Sequence, residues 1–363
     1  MLLRFIRLFS TVFVLLLGAS YIFMTPAGLE PVAWEPPDNL GLTGVFEPND
    51  RLAGAALARL RGSLGPEDVA VHPEDGSVWT LTRDGELWRM DEVRAVAVGR
   101  ISDGALGLEF AADGALYITD VHLGVLRWTP GGGSERVVSQ LEGVPLTFAN
   151  QIAVARDGTL YFSVSTRRFL PEQFDDTLEV SIHDLWEHRN TGLVARLRPG
   201  ERVAEVVARG FSFANGVALT PEEDALLIAE TGGYAIWRVE LNADGSVSPP
   251  HMITPALPGF PDNIQAQGDG TFWVGLVSER RAIADVLMPY PGLRSVVWRL
   301  PEVVRPKPSL HGILMRIDAQ GQILDVLQDP SGEINLVTGA VVSEGRLYVS
   351  SLGMGALAAL DWE

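Results

Sequence analysis

The sequence predicts an all-β fold, a six-bladed β-propeller, on three observations. Six times an apolar strand runs into an acidic turn and a second strand follows, at Asp75-Gly76, Asp113-Gly114, Asp157-Gly158, Glu223-Asp224, Asp269-Gly270 and Glu344-Gly345. The flanking segments, such as DVAVHPEDGSVWTLTRDGELWRM and GVALTPEEDALLIAETGGYAIWRVEL, alternate and are rich in β-branched and aromatic residues, as antiparallel hairpins require. Six to eight residues before each turn lies one equivalent position per repeat, held by Glu67, Leu106, Asn150, Asn215, the pair Asp262-Asn263, and Thr338.

The elements follow in chain order. Arg4 and Arg7 precede an uncharged run of 17 residues from Leu8 to Met24. That is the short end for crossing a bilayer. Bulky Tyr21, Ile22, Phe23 and Met24 stand where a small-residue cleavage site would be, so residues 1–25 are expected to be an uncleaved signal anchor. The basic flank then stays cytoplasmic and the rest of the chain lies on the extracytoplasmic side. Residues 26–50, with Glu35-Pro36-Pro37-Asp38, read as a linker or extended strap. Residues 51–363 are assigned to the propeller. Within them, residues 51–62 suit either a short helix or an outer strand of a closing blade, and the pattern does not choose. Residues 167–192 and 279–310 read as insertions between blades, the second with a possible amphipathic helix near Ile283 to Met288, and both are candidates for a substrate lid and rim.

Composition narrows the function. With 46 acidic against 28 basic residues, the net charge of -18 excludes the basic face that nucleic acid needs. There is no cysteine, so disulfides, thiolate metal sites and a Cys nucleophile are excluded. No GxSxG elbow, P-loop or dinucleotide fingerprint occurs, which leaves serine hydrolase and nucleotide chemistry without support.

The equivalent positions carry the chemistry. Any one Asn or Asp in a loop is ordinarily a turn cap. Five in register across four repeats, Glu67, Asn150, Asn215, Asp262 and Asn263, form a set of hard oxygens that a radial fold would converge on one axis. Such a set suits Ca²⁺, whereas Zn²⁺ would want His or Cys.

The order LTGVFEPND, GPED, ALGLEFAADGALYITDVHLGVL, FANQ, FANGVAL with AETGGYAIWRV, and LPGFPDNI with FWVGL resembles the strictosidine synthase-like family, from about residue 40 onward. Within it, the chain resembles the adipocyte plasma membrane-associated protein group, a resemblance that implies a shared N-terminal anchor. The resemblance extends to paraoxonases and gluconolactonases, six-bladed propellers with a catalytic calcium. It implies that Glu67, Asn150, Asn215, Asp262 and Asn263 are the calcium ligands, and that a lactone or ester carbonyl is polarised for attack by water. A second, structural calcium would use Asp68, but Gln151 replaces its other acid. Of the paraoxonase histidine dyad, the first member falls near Leu106 and the second is approximated by His122, which Asp120 could orient. Asp262 is the alternative general base. The glutamate used by true strictosidine synthases falls at Thr338 and Gly339, so their amine-aldehyde condensation is a minor alternative. A calcium-stapled binding module without enzymatic activity is the main one.

Overall fold

Residues 28–362, apart from 92, 93, 302 and 304, are described by a computed structural model. The expected anchor over residues 1–25 lies outside them, and among the described residues no helix is long and apolar enough to cross a membrane. The chain divides into two units. The larger comprises 37–185, 189–280 and 308–363, and the smaller 28–36, 186–188 and 281–307 among the described residues.

Six four-stranded antiparallel sheets form the body of the larger unit, with a two-stranded sheet of Gln140–Leu141 and Val144–Pro145 beside them. Their innermost strands are Asp68–Val71, Ala105–Phe110, Ala149–Val154, Ala214–Leu219, Gly259–Ala266 and Val337–Ser343. Each contacts the next, and the sixth contacts the first, so the ring closes. This is the six-bladed propeller. Closure is covalently offset: Ala56–Arg59 is the outer strand of blade six and pairs in register with Ala356–Ala359. The open choice for residues 51–62 is thereby settled as a strand. The preceding strap is pinned to blade five, where Asn49 Oδ1 accepts from Gln328 N at 3.0 Å and Gln328 Nε2 donates to the Phe46 carbonyl at 3.0 Å.

The acidic turns have a shared cause. Asp75, Asp113, Asp157 and Asp269 each accept, through Oδ1, the N–H two residues on, at 2.8–3.0 Å. The glycine between takes a left-handed φ of 69° to 86° that a side chain would resist. In blade four Glu223 itself occupies that region, at φ 56°.

Between blades the core is aliphatic and aromatic. Trp79 of blade one meets Phe110 and Trp128 of blade two edge-on or tilted, at 5.6 and 6.0 Å between centroids. Between blades five and six lie Trp273, Leu314, Ala340 and Val349, all buried. Each such Leu, Ile or Val contributes about 1.5–3 kcal/mol by leaving water.

The two insertions lie within blades three and five, between the second and third strands, and not between blades as expected. Antiparallel order makes those connections leave the blade at the end where its innermost strand begins. The first carries a helix, α1 (Thr177–Glu187), whose start is capped by Asp176 Oδ1 accepting from Glu179 N at 2.8 Å. The second carries α2 (Ala282–Leu287) and α3 (Pro291–Trp298).

The smaller unit has its own centre in Arg294, which is fully buried. Its guanidinium donates to the carbonyls of Trp186, at 2.7 Å, and Val32. Val32 N donates to Glu187 O at 2.9 Å, and Trp34 N to Met288 O at 3.3 Å. Trp34 stacks on His188 with centroids 4.0 Å apart, and Trp186 packs against Trp298. Burial, then the Arg294 charge, push the His188 imidazole down to about 3, so it is neutral.

Candidate metal centre

A β-bulge near the start of the innermost strand builds the site. Pairing with the second strand skips from Ala105 to Leu108, Ala149 to Ile152, Ala214 to Val217, Pro261 to Ile264 and Val337 to Gly339. The skipped residues are Leu106-Gly107, Asn150-Gln151, Asn215-Gly216, Asp262-Asn263 and Thr338. Strict alternation would send neighbours to opposite faces of a sheet; a bulge suspends it and re-aims both. Blade one has no bulge in its pairing, and Glu67 stands one residue ahead of its strand.

Phe148, Phe213 and Leu336, each two residues before these positions, hold left-handed φ of 52°, 63° and 44°. Such backbone costs about 1–3 kcal/mol and persists where surroundings enforce it. Here the same bond recurs: the carbonyls of Phe148, Phe213 and Leu336 accept from Ser165, Thr231 and Leu352 N at 3.0–3.1 Å. Groups freed by the bulge are met by hydroxyls of the second strand. Thr119 Oγ1 accepts from Gly107 N at 2.9 Å, Ser163 Oγ from Gln151 N at 3.0 Å, and Ser350 Oγ donates to Gly339 O at 3.1 Å. In blade one, which has no bulge, Thr80 Oγ1 likewise donates to the Asp68 carbonyl at 2.6 Å.

Glycine sets the spacing of the blades at this level. A Cβ on Gly216 would lie 2.6 Å from the Asp262 carbonyl oxygen, and one on Gly107 would collide with that of Asn150.

The structure brings four of the five predicted ligands into direct relation. Asn215 Nδ2 donates to Asp262 Oδ1 and to Thr231 Oγ1. Asn263 Nδ2 donates to the Glu67 carbonyl at 2.9 Å. With their amide nitrogens so engaged, Asn215 Oδ1 and Asn263 Oδ1 are buried with no hydrogen-bond partner. Asn150, on the neighbouring strand, donates through Nδ2 to Ser165 Oγ at 2.9 Å. Glu67 and Asp262 are both buried, and each keeps its proton more tightly than an ordinary carboxyl. Burial pushes Glu67 up to about 7, with the Arg83 charge opposing. Burial, then the Glu67 charge, raise Asp262 well above the usual range. Two carboxylates and three amides differ from an acid-rich metal cluster: among the described residues no three His, Cys, Asp or Glu side chains are placed to hold an ion. Orphaned amide oxygens beside crowded carboxylates nonetheless fit a hard cation, which would satisfy both.

Beside this set lies a hub that the sequence reading missed. Asp68 accepts from Val69 N at 2.9 Å, Leu108 N at 3.1 Å and Gln265 Nε2, with Gln151 Nε2 at 3.4 Å. Gln151 Oε1 in turn accepts from Val217 and Ile264 N, both at 2.9 Å. Amide donors therefore surround the acid that a second calcium would need. The signal was Gln at two innermost-strand positions, Gln151 and Gln265.

His122 has a partner outside the ligand set. It lies in the connection after the second strand of blade two, and its Nδ1 is 3.1 Å from Glu172 Oε1 of the 3-10 turn Pro171–Gln173. The expectation that Asp120 orients the ring is corrected. Asp120 Oδ1 instead accepts the backbone N–H of His122 and Leu123, both at 2.8 Å, because the tight turn there needs those donors capped. Leu106 is 4% exposed, and Thr338 is fully buried with its hydroxyl 2.8 Å from Ser350 Oγ.

Two family models match this chain: "Strictosidine synthase-like, N-terminal" over residues 44–90 and "Strictosidine synthase" over 148–243. Protein STRICTOSIDINE SYNTHASE-LIKE 10 of Arabidopsis thaliana is 27% identical over 355 residues, covering 88% of this chain and 92% of the relative. The chain is similar to the strictosidine synthase-like family. Another relative is the adipocyte plasma membrane-associated protein of Gallus gallus, 26% identical over 375 residues, with 96% and 87% covered. Among solved structures, a gluconolactonase from Xanthomonas campestris superposes with TM-score 0.62 at 18% identity, over 86% of this chain and 91% of that one. Regucalcin from Agrobacterium tumefaciens, described as a calcium-binding protein, gives 0.53 at 13%, over 82% and 85%. These two share the fold of this chain.

Proposed function

We propose that the protein is a membrane-anchored, extracytoplasmic, Ca²⁺-dependent hydrolase of small esters or lactones. The observation that carries this reading is the pair of buried, unpartnered oxygens Asn215 Oδ1 and Asn263 Oδ1 beside the buried carboxylates Glu67 and Asp262. The donor set contains neither His nor Cys, which favours Ca²⁺ over Zn²⁺. Glu67, Asn150, Asn215, Asp262 and Asn263 would hold the ion. When bound, it supplies a Lewis acid that polarises the substrate carbonyl and stabilises the developing oxyanion. Asp262 is the proposed base for the attacking water, its Oδ1 held in place by Asn215 Nδ2. His122 is the second candidate, a half-exposed imidazole held by Glu172 at the end of the blade where the innermost strand begins. The gluconolactonase and calcium-binding neighbours support lactone chemistry and the metal. The apolar run from Leu8 to Met24 and the membrane-associated relatives support the anchor.

The test is hydrolysis of aryl esters and lactones by the full chain, with Ca²⁺ and with excess chelator. Turnover should require Ca²⁺ and be lost in Glu67→Gln and Asp262→Asn. Full activity in chelator overturns the reading. A second reading, a binding propeller stapled by Ca²⁺, is favoured by one observation: apolar, buried Leu106 stands where the relatives' histidine is expected. Strong stabilisation by Ca²⁺ without turnover across the panel would support it. Thr338 and Gly339 supply no carboxylate for amine-aldehyde condensation.

A further inference from the structure

The smaller unit differs in surface from the rest of the chain. Ile283 and Val286 of α2, Tyr290 in the connection, and Leu293 of α3 are 52–64% exposed. Their spacing of three, four and three residues is that of one helical stripe, although Pro289 and Pro291 divide it into two short helices. Scattered exposed apolar residues are ordinary; four large ones in register are not.

Charge sets the same segment apart. Residues 281–307 carry five basic side chains, Arg281, Arg294, Arg299, Arg305 and Lys307, against two acidic ones, Asp285 and Glu302. The chain as a whole carries -18. Arg294 is buried, but Arg281 and Lys307 are exposed, and Arg281 Nε reaches the Lys307 carbonyl at 3.3 Å. An apolar stripe with a cationic border is the composition of a helix that lies in a lipid headgroup layer.

The chain's own N-terminus supplies the position. Met24 ends the uncharged run, and Leu29 is already buried in the strap, five residues on. Five extended residues span at most about 17 Å. That strap is fastened within the same unit by Val32 to Glu187, Trp34 to Met288, and the buried Arg294 to the Val32 carbonyl.

We infer that α2 and α3 form a second membrane contact, in which Ile283, Val286, Tyr290 and Leu293 enter the interface of an anionic lipid surface while the basic side chains meet its headgroups. The inference rests on the proposed anchor: the anchor delivers this unit to the bilayer, and the stripe fixes how it rests there.

The chain has no cysteine, which makes the test direct. Full-length Val286→Cys and Leu293→Cys, labelled with an environment-sensitive fluorophore, are compared in phosphatidylserine-containing vesicles with Val96→Cys on the outer strand of blade one. Val96 is 43% exposed and serves as a solvent control. Flotation with the vesicles reads the anchor independently. Expected is a blue shift at 286 and 293, with several-fold stronger quenching by brominated lipid than at 96. Flotation without that shift overturns the inference and leaves the anchor standing. Neither flotation nor shift overturns both. An equal shift on purely zwitterionic vesicles overturns the cationic part. A shift without lipid that grows with protein concentration would assign the stripe to a second copy of the chain and also overturn the inference.

Discussion

Asn263 Nδ2 donates to the backbone carbonyl of Glu67 at 2.9 Å, tying together residues 196 apart and leaving Asn263 Oδ1 buried without a donor. The amide is thereby fixed in orientation by its nitrogen, and its oxygen is free for a cation. Asn215 has the same arrangement, with Nδ2 on Asp262 and Thr231. Losing either oxygen should weaken Ca²⁺ at least as much as the roughly 10- to 100-fold lost when an outer-shell partner is removed. Asn215→Ala and Asn263→Ala are expected to show this by calorimetric titration. Unchanged affinity in both would exclude these oxygens as ligands.

The hub around Gln151 is structural. Its Oε1 is the acceptor for two buried N–H groups, Val217 and Ile264, on the innermost strands of blades four and five. Gln151→Ala would leave both unpaired, at about 1–3 kcal/mol each. A loss of about 2–6 kcal/mol in denaturant unfolding is expected. A loss under 1 kcal/mol would mean that water replaces the amide there.

Gly216 tests the spacing of the blades. Alanine here would place its Cβ 2.6 Å from both the Asp262 oxygen and the Ile264 nitrogen, backbone atoms that cannot rotate away. Gly216→Ala should therefore move the strand bearing Asp262 and Asn263. Overpacking of this kind costs about 1–3 kcal/mol. Calcium affinity should fall with stability, whereas a bystander glycine would lose stability alone. Gly99, with no neighbour within 4 Å of a built Cβ, is the control.

How much of this was legible follows from the physics of each element. The acidic turns are local, one carboxylate capping the N–H two residues on, so Asp75, Asp113, Asp157 and Asp269 announce themselves in sequence. Counting back from them found the positions of the bulges because the innermost strand runs nearly the same length, six to eight residues, from that position to its turn in every blade. The bulge itself was not legible, and without it Asp262 and Asn263 should face opposite ways. A clue was present in four of the second strands: the hydroxyl residues Thr80, Thr119, Ser163 and Ser350 each follow an apolar residue and turn out to meet the innermost strand's backbone. The role of Asp120 was misjudged because sequence proximity to His122 says nothing about whether a carboxylate meets a ring or a backbone turn. The ring's partner, Glu172, lies 50 residues away. Likewise the strand pairing of 56–59 is decided by the last strand of the chain, not by local propensity.

With Glu67 and Asp262 as the proposed calcium ligands, calcium binding and the stability of the metal-free fold are expected to respond to pH in opposite directions. Burial pushes Glu67 up to about 7 and Asp68 to about 6, with Asp262 raised as well. A carboxyl whose folded value lies above its unfolded value stabilises the fold fully below the unfolded value, near 4.5, and loses that contribution as pH rises through the folded one. Without metal, Glu67 alone should therefore cost on the order of 3 kcal/mol between pH 4.5 and 8. His188, held neutral with a value of about 3, acts oppositely up to about pH 6.5, so total stability alone is ambiguous. The difference between wild type and Glu67→Gln removes that term. In chelator, wild type should lose thermal stability relative to Glu67→Gln as pH goes from 6 to 8. Calcium binding needs the ionised carboxylates, so the Ca²⁺-induced rise in wild-type Tm should grow over the same interval. A Ca²⁺ effect that is flat in pH while the chelated proteins diverge would show that Glu67 is not among the groups that meet the ion.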